Sequence, residues 1–324
     1  MHHPEFPTIA FLCATLILLP LPWHWRAANV ATLSIIVWLF VLNVIYGVDA
    51  VIWANNAEIV IPVWCDITTK IIVGGNFALP AACLCICIHL EQVSSLRAAR
   101  TTLPEKRRRQ IIEALMCFGL PAVFMALHYI VQGHRFDIIE DFGCRPAIYA
   151  SVPALILMWV VPLFLATLAL GFAGCALMHF IQRRASFAKH LNSQAGLTTA
   201  RYLRLIMMAV VEMVIGIAFT GYTVWFNSAN LQSWTGWADV HWHFSQIAQY
   251  PTILLPQMFL RTYTVLWWMV PVATLTFVAF FAFGEDAVNE YKACFSWIAS
   301  KILRLKPRRP SAKSRHTSSL PVAW

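Results

Sequence analysis

Residues 64–76 read "WCDITTKIIVGGN" and run straight into an apolar segment, with Cys65, Asp66 and Lys70 falling inside six positions. A soluble core seldom buries an acid and a lysine one turn apart, and a membrane span penalises each such charge by about 2.5–3.5 kcal/mol at its centre. Either partners hold Asp66 and Lys70, or the two sit at an edge. The rest of the chain decides between these.

The chain has 324 residues, of which 59% are hydrophobic and 12% charged, a balance that belongs to membrane proteins. Crossing about 30 Å of hydrocarbon takes about 20 residues of helix. Seven apolar runs meet or approach that length, near Phe6–Leu21, Asn29–Ala54, Ile67–Leu90, Ile111–Val131, Val152–Ile181, Leu205–Phe226 and Tyr263–Phe283. The pattern predicts an all-α membrane protein with a seven-helix bundle.

Lys and Arg in short loops stay on the cytoplasmic side. Here Arg26, six residues between runs three and four, five between runs five and six, and eight after Phe283 all fall on one side. Arg135, Arg145 and Arg261 fall on the other. The amino terminus is therefore expected outside and the carboxyl terminus inside. The leading "MHHPEFP" lacks a basic residue, and removing run one as a signal peptide would put "EKRRRQ" outside, so the run reads as a span. The net charge of +9 reflects cytoplasmic loops lying on anionic lipid. Nucleic acid is excluded as a partner.

With that orientation the quoted stretch lies at the outer end of helix three. Asp66 and Lys70 stand i, i+4 with the acid first, the favourable order for a helical pair, and Lys70 can reach toward headgroups. A local pair that orients the helix is one reading, and a residue lining a ligand entrance is the other. Six of the nine cysteines fall in apolar runs and Cys294 in the tail, which leaves Cys65 and Cys144 facing an oxidising compartment. A Cys65–Cys144 disulfide is predicted.

The tools of an enzyme are missing: no HExxH, zinc-spaced CxxC pairs, GxSxG or GxxxxGKS/T occurs. "CLCIC" at Cys83, Cys85 and Cys87 spreads around a helix, and "HWH" at His241 and His243 lacks a third ligand, so neither metal nor cofactor is expected. Asp49, His128 and Glu212 lie within spans, where polar groups either mark function or satisfy one interhelical hydrogen bond. Pro80, Pro121, Pro153, Pro162 and Pro271 are expected to kink helices. No duplicated halves of transporter type are visible. Residues 225–250 are dense in aromatics, among them Trp234, Trp237 and Trp242, and suit either an interfacial belt or an amphipathic ligand with a greasy group. Residues 284–306 carry helical apolar spacing that fits an interfacial amphipathic helix with Cys294 as a palmitoylation candidate, and 307–324 read as a disordered basic tail.

Several strings carry a specific resemblance: "PWHWRAANVAT" (22–32), "WLFVLNVIYGVDAVIWANN" (38–56), "PVWCDITTKI" (62–71), "NFALPAACLCI" (76–86), "VPALILMWVVPL" (152–163) and "LTTARYLRLIMMAVVE" (197–212). On these the chain resembles the fungal receptors for farnesylated lipopeptide mating pheromones, over about residues 5–300. The resemblance implies a seven-transmembrane G-protein-coupled receptor of the plasma membrane, with a lipopeptide pheromone and a heterotrimeric G protein as partners and the receptor domain over 1–283. It implies that Trp64, Asp66 and Lys70, with Trp237, His241 and Trp242, line or guard ligand entry. Arg97, Arg201, Arg204 and Glu212 would lie at or near the coupling side. One departure stands out: where many members read "CINRRL" at the inner end of helix three, this chain reads "CICIHL", with Ile88 and His89 in the basic positions. A receptor-like protein outside the mating locus, with altered or lost coupling, is the nearest alternative. A transporter, whose uptake would depend on Asp49, Lys70 or Glu212, is the alternative from another class. Whether two copies form a homodimer is open.

Overall fold

The computed structural model of the chain describes residues 3–95, 103–182, 199–228 and 231–281. Its helices are α1 (Glu5–Leu16), α2 (Leu21–Arg26), α3 (Val30–Ile52), α4 (Pro62–Ser94), α5 (Leu103–Val131), α6 (Val152–Gln182), α7 (Thr199–Ser228), α8 (Trp237–Val240) and α9 (Gln257–Phe281). Six of them, α3 to α7 and α9, are long and apolar enough to cross a membrane. The expected segment 284–306, Cys294 and the tail lie outside the described residues.

The first apolar run departs from expectation. Its twelve-residue α1 is about 18 Å long, short of a bilayer's hydrocarbon. Pro20 and Pro22 supply no N–H, and beyond Leu16 the chain tightens: Leu18, Leu19 and Leu21 donate three residues back, to Thr15, Leu16 and Leu18, up to the first residue of α2. The first apolar run is a broken helix, and α1 packs beside α3 and α9.

Helix α4 is the axis of the bundle, packing against α3, α5, α6 and α7. Small residues explain its closest neighbour. Ala78, Ala81 and Ala82 of α4 are buried, as are Ala166, Ala169, Ala173 and Ala176 of α6, and such stripes let backbones approach where lipid provides no hydrophobic drive. The Gly74–Gly75 pair of the quoted stretch does the same elsewhere: a Cβ on Gly74 would stand 2.8 Å from Met125 Sδ and 2.9 Å from Trp38, and one on Gly75 2.7 Å from Leu42.

Prolines act locally. Pro121 and Pro162 each follow a π-helical turn, Leu115–Gly119 in α5 and Leu155–Val160 in α6. Pro121 cannot bond the carbonyl of Cys117, and the indole of Trp38 donates to that oxygen instead at 3.0 Å. Pro80 and Pro271 lie inside α4 and α9 as expected. Pro153 differs, since it sits at the start of α6, where a missing N–H costs nothing. Polar stitches join the helices: Asn43 Nδ2 donates to Thr274 Oγ1 at 2.7 Å, and the Tyr202 hydroxyl lies 3.1 Å from the Ala176 carbonyl. Each such contact is worth about 0.6 kcal/mol in a bilayer.

One end of the bundle carries a small sheet that the apolar pattern does not announce. β1 (Phe136–Ile139) pairs antiparallel with β2 (Gly143–Arg145), with Ile138 opposite Cys144, and parallel with β3 (Ile247–Tyr250). The aromatic segment 225–250 is thus partly helix and partly strand. Cys65 of α4 is disulfide-bonded to Cys144 of β2, as predicted, within a buried cluster of Trp53, Phe136 and Ile138. Glu140 accepts from Thr252 N at 2.7 Å and Thr252 Oγ1 at 2.8 Å, fastening the hairpin to the chain that follows β3.

The turn into β2 depends on Gly143, whose φ is +77° and whose missing Cβ would stand 2.3 Å from Asp49 Cβ. Gly143→Ala combines left-handed backbone strain with a clash. It is expected to cost about 2 kcal/mol or more and to lower the thermal midpoint of the detergent-solubilised protein. Gly171→Ala, where a Cβ meets nothing within 4 Å, should leave the midpoint unchanged. Equal midpoints for the two variants would contradict this packing.

Candidate functional site

The quoted acid and lysine lie inside α4, one and two turns from its start, and do not close on each other. Each reaches a neighbouring segment instead, because the disulfide one residue before Asp66 draws the β1–β2 hairpin over this face. Arg135, just before β1, forks onto Asp66, with Nε donating to Oδ1 at 2.8 Å and Nη2 to Oδ2 at 2.5 Å. These bonds hold the Arg135 guanidinium pKa above its ordinary value. With side chains 35% and 37% exposed, the pair is worth about 1 kcal/mol or less.

Lys70 lies deeper, about 12 Å along α4. Its ammonium donates to Gln132 Oε1 at 2.6 Å and to His128 Nδ1 at 2.9 Å, both at the end of α5. His128 Nε2 donates in turn to the Ala147 carbonyl at 3.1 Å, which fixes the tautomer: Nε2 carries the proton and Nδ1 accepts from lysine. Gln132 Nε2 donates to the Arg135 carbonyl at 2.6 Å. The charges lie at the end of α4, as expected, and partners hold them there. His128 has a structural place in the network.

These residues border a cleft of about 380 Å³ lined by Asp66, Thr69, Lys70, Tyr129, Gln132, Arg135, Phe244 and Ser245. Trp237 and His241 stack on each other with ring centroids 4.1 Å apart beside Tyr129, and His241 Nε2 faces the Tyr129 carbonyl at 2.9 Å, so both brace a wall of the cleft. Two expected members stand elsewhere. Trp64 turns to α3 and donates to Asp49 Oδ1 at 2.8 Å, while Trp242 is 76% exposed and lines nothing here. Sequence reasoning missed Thr69, Tyr129, Gln132 and Arg135, whereas Phe244 and Ser245 fall in the aromatic segment 225–250 that it singled out. Helical spacing was the available signal, since Asp66, Thr69 and Lys70 share a face at i, i+3 and i+4, as do Tyr129 and Gln132 at i, i+3.

At the opposite end, Arg109 of α5 stands over His89 of α4, Nη1 to Nδ1 at 3.0 Å, with Glu113 3.2 Å from its Nε. Ile88 is half-buried, and Glu91 meets His179 of α6 at 3.7 Å. Arg204 lies in the second turn of α7 and Arg201 in its first, while Arg97 lies outside the described residues. Glu212 is not at that end: it lies about 20 Å along α7, near mid-helix, because α7 starts at Thr199 and not near Leu205. Its Oε1 is buried without a hydrogen-bond partner. Among the described residues no cluster of His, Cys, Asp or Glu could hold a metal ion.

Residues 5–302 match the family model described as pheromone A receptor. The chain is 59% identical over 308 residues to the pheromone B beta 1 receptor of Schizophyllum commune, covering 94% of this chain and 57% of that protein. It is 31% identical to pheromone receptor 2 of Mycosarcoma maydis, over 83% of this chain and 79% of the relative. The pheromone M-factor receptor of Schizosaccharomyces pombe is 26% identical over 70% of this chain and 63% of its own length. The chain spans about half the length of its Schizophyllum relatives. No solved structure matches.

Replacing Lys70 removes the donor that His128 Nδ1 and Gln132 Oε1 share. Lys70→Met should cost about 1–3 kcal/mol through the acceptors left buried, read as a lower thermal midpoint of the solubilised protein. An unchanged midpoint would show that the triad does not hold α4 to α5.

Proposed function

The chain belongs to the pheromone A receptor family, and from that premise we propose that it is a plasma-membrane G-protein-coupled receptor for a farnesylated peptide mating pheromone. Binding occurs at the disulfide end of the bundle, and no catalytic step is involved. The observation that carries this reading is the charged cleft between α4, the end of α5 and the β3-proximal chain, where a peptide's polar groups find Asp66, Lys70 and Arg135 together.

The disulfide at the cleft end fits an oxidising, outward compartment, and the basic loops at the other end fit a cytoplasmic face. The amino terminus is accordingly outside. Signalling is a population shift: a ligand that binds one arrangement of the bundle more tightly moves the equilibrium by that difference in affinity. The cleft is built for such discrimination, because the Arg135–Asp66 clasp joins the hairpin to α4 and the Lys70 triad joins α4 to α5. A ligand that re-partners either group changes how three elements are held. At the far end, Ile88, His89, Arg201 and Arg204 are read as facing the G protein, a role the resemblance also implies for Arg97. The arginine absent from "CICIHL" has a neighbour in Arg109, which places a guanidinium beside His89.

The test is guanine-nucleotide exchange on a fungal Gα in reporter cells expressing this receptor, challenged with a panel of farnesylated peptides. Exchange evoked by at least one peptide, and lost when its farnesyl group is absent, is expected. Silence across the panel at normal surface expression would contradict the reading.

A further inference from the structure

The cleft's lining has a chemistry narrower than "peptide". Resting on the receptor reading above, we propose that this cleft takes a carboxylate-bearing side chain of the pheromone peptide, with Lys70 and Arg135 as its donors, and that the isoprenoid group docks elsewhere.

Its lining carries two cations and one anion, Lys70 and Arg135 against Asp66, so the cleft has an excess positive charge. The donors are not used up. Lys70 commits two of its three N–H groups, to Gln132 and His128, and Arg135 commits Nε and Nη2 to Asp66, leaving Nη1. The two cations come from different elements, α4 and the segment before β1, and the Cys65–Cys144 bond holds those elements together. Neither need move far to share an incoming carboxylate, and hydrogen bonds from charged donors to a carboxylate are the strong ones.

Tyr129 and Phe244 meet edge to face, ring centroids 5.0 Å apart, and offer an apolar wall for the methylenes of an aspartate or glutamate. An isoprenoid chain in the same space would take Asp66, Lys70 and Arg135 from water and give nothing in return. A lysine or arginine would meet two like charges.

The experiment uses the full chain in the reporter cells, with farnesylated peptides in which each internal position carries Glu, Gln or Lys in turn. In the wild-type receptor, Glu at one position should give a half-maximal response at a concentration at least about tenfold lower than Gln, equivalent to about 1.4 kcal/mol, with Lys worse still. That preference should collapse in Lys70→Gln and in Arg135→Gln, each compared at matched surface expression. If Lys70→Gln reaches the surface poorly, Arg135→Gln, at the half-exposed rim, carries the test. A wild-type receptor with no acid preference at any position overturns the inference alone, as does a preference that survives the substitutions. Silence of the wild-type receptor toward every peptide overturns the receptor reading and this inference with it.

Discussion

The Cys65–Cys144 bond is the constraint on which the functional end depends. It joins positions 79 residues apart, and closing a loop of that length in a free chain is worth about 4.5 kcal/mol, an upper bound here because membrane helices already restrict the loop. Its geometric effect is larger than its energetic one. With β2 pinned to the first turn of α4, Arg135 arrives at Asp66, Gln132 at Lys70 and the Ala147 carbonyl at His128. Without the bond these would be three charges and three neutral polar groups at a membrane surface with no fixed partners.

The bundle beneath is organised by what α4 leaves out as much as by what it carries. Gly74, Gly75 and its buried alanines bring α3, α5 and α6 close to it, and the same stretch of chain supplies the charges at its end. Close approach and charge placement are thus encoded in one segment. The most buried of the six spans also sets the cleft, so a change of tilt in α4 moves the clasp and the triad together.

The spans and the disulfide were legible in the sequence because each rests on one robust signal. Apolar length suffices for the first, and the position of two cysteines outside the apolar runs suffices for the second. The break in the first apolar run was harder to read, since hydropathy is blind to Pro20 and Pro22 as interruptions of the hydrogen-bond ladder. The three-stranded sheet was illegible because its strands have four residues or fewer and β1 pairs with β3 across more than a hundred positions. The i, i+4 spacing of Asp66 and Lys70 suggested a local pair, yet a bidentate guanidinium competes better for the carboxylate than a lysine that can donate to two neutral acceptors. The resemblance implied a place for Trp64 at the ligand entry, but a tryptophan two residues from Asp66 points to another face of the helix and donates to Asp49.

The most direct measurement is photo-crosslinking with a farnesylated peptide that carries a benzophenone at an internal position, followed by mass mapping of the labelled receptor. Label on the segment from Tyr129 to Arg135 or on the chain around Phe244 is the predicted result. Label concentrated at the opposite end, around His89, Arg109 or Arg204, would contradict the assignment of the disulfide end as the ligand face.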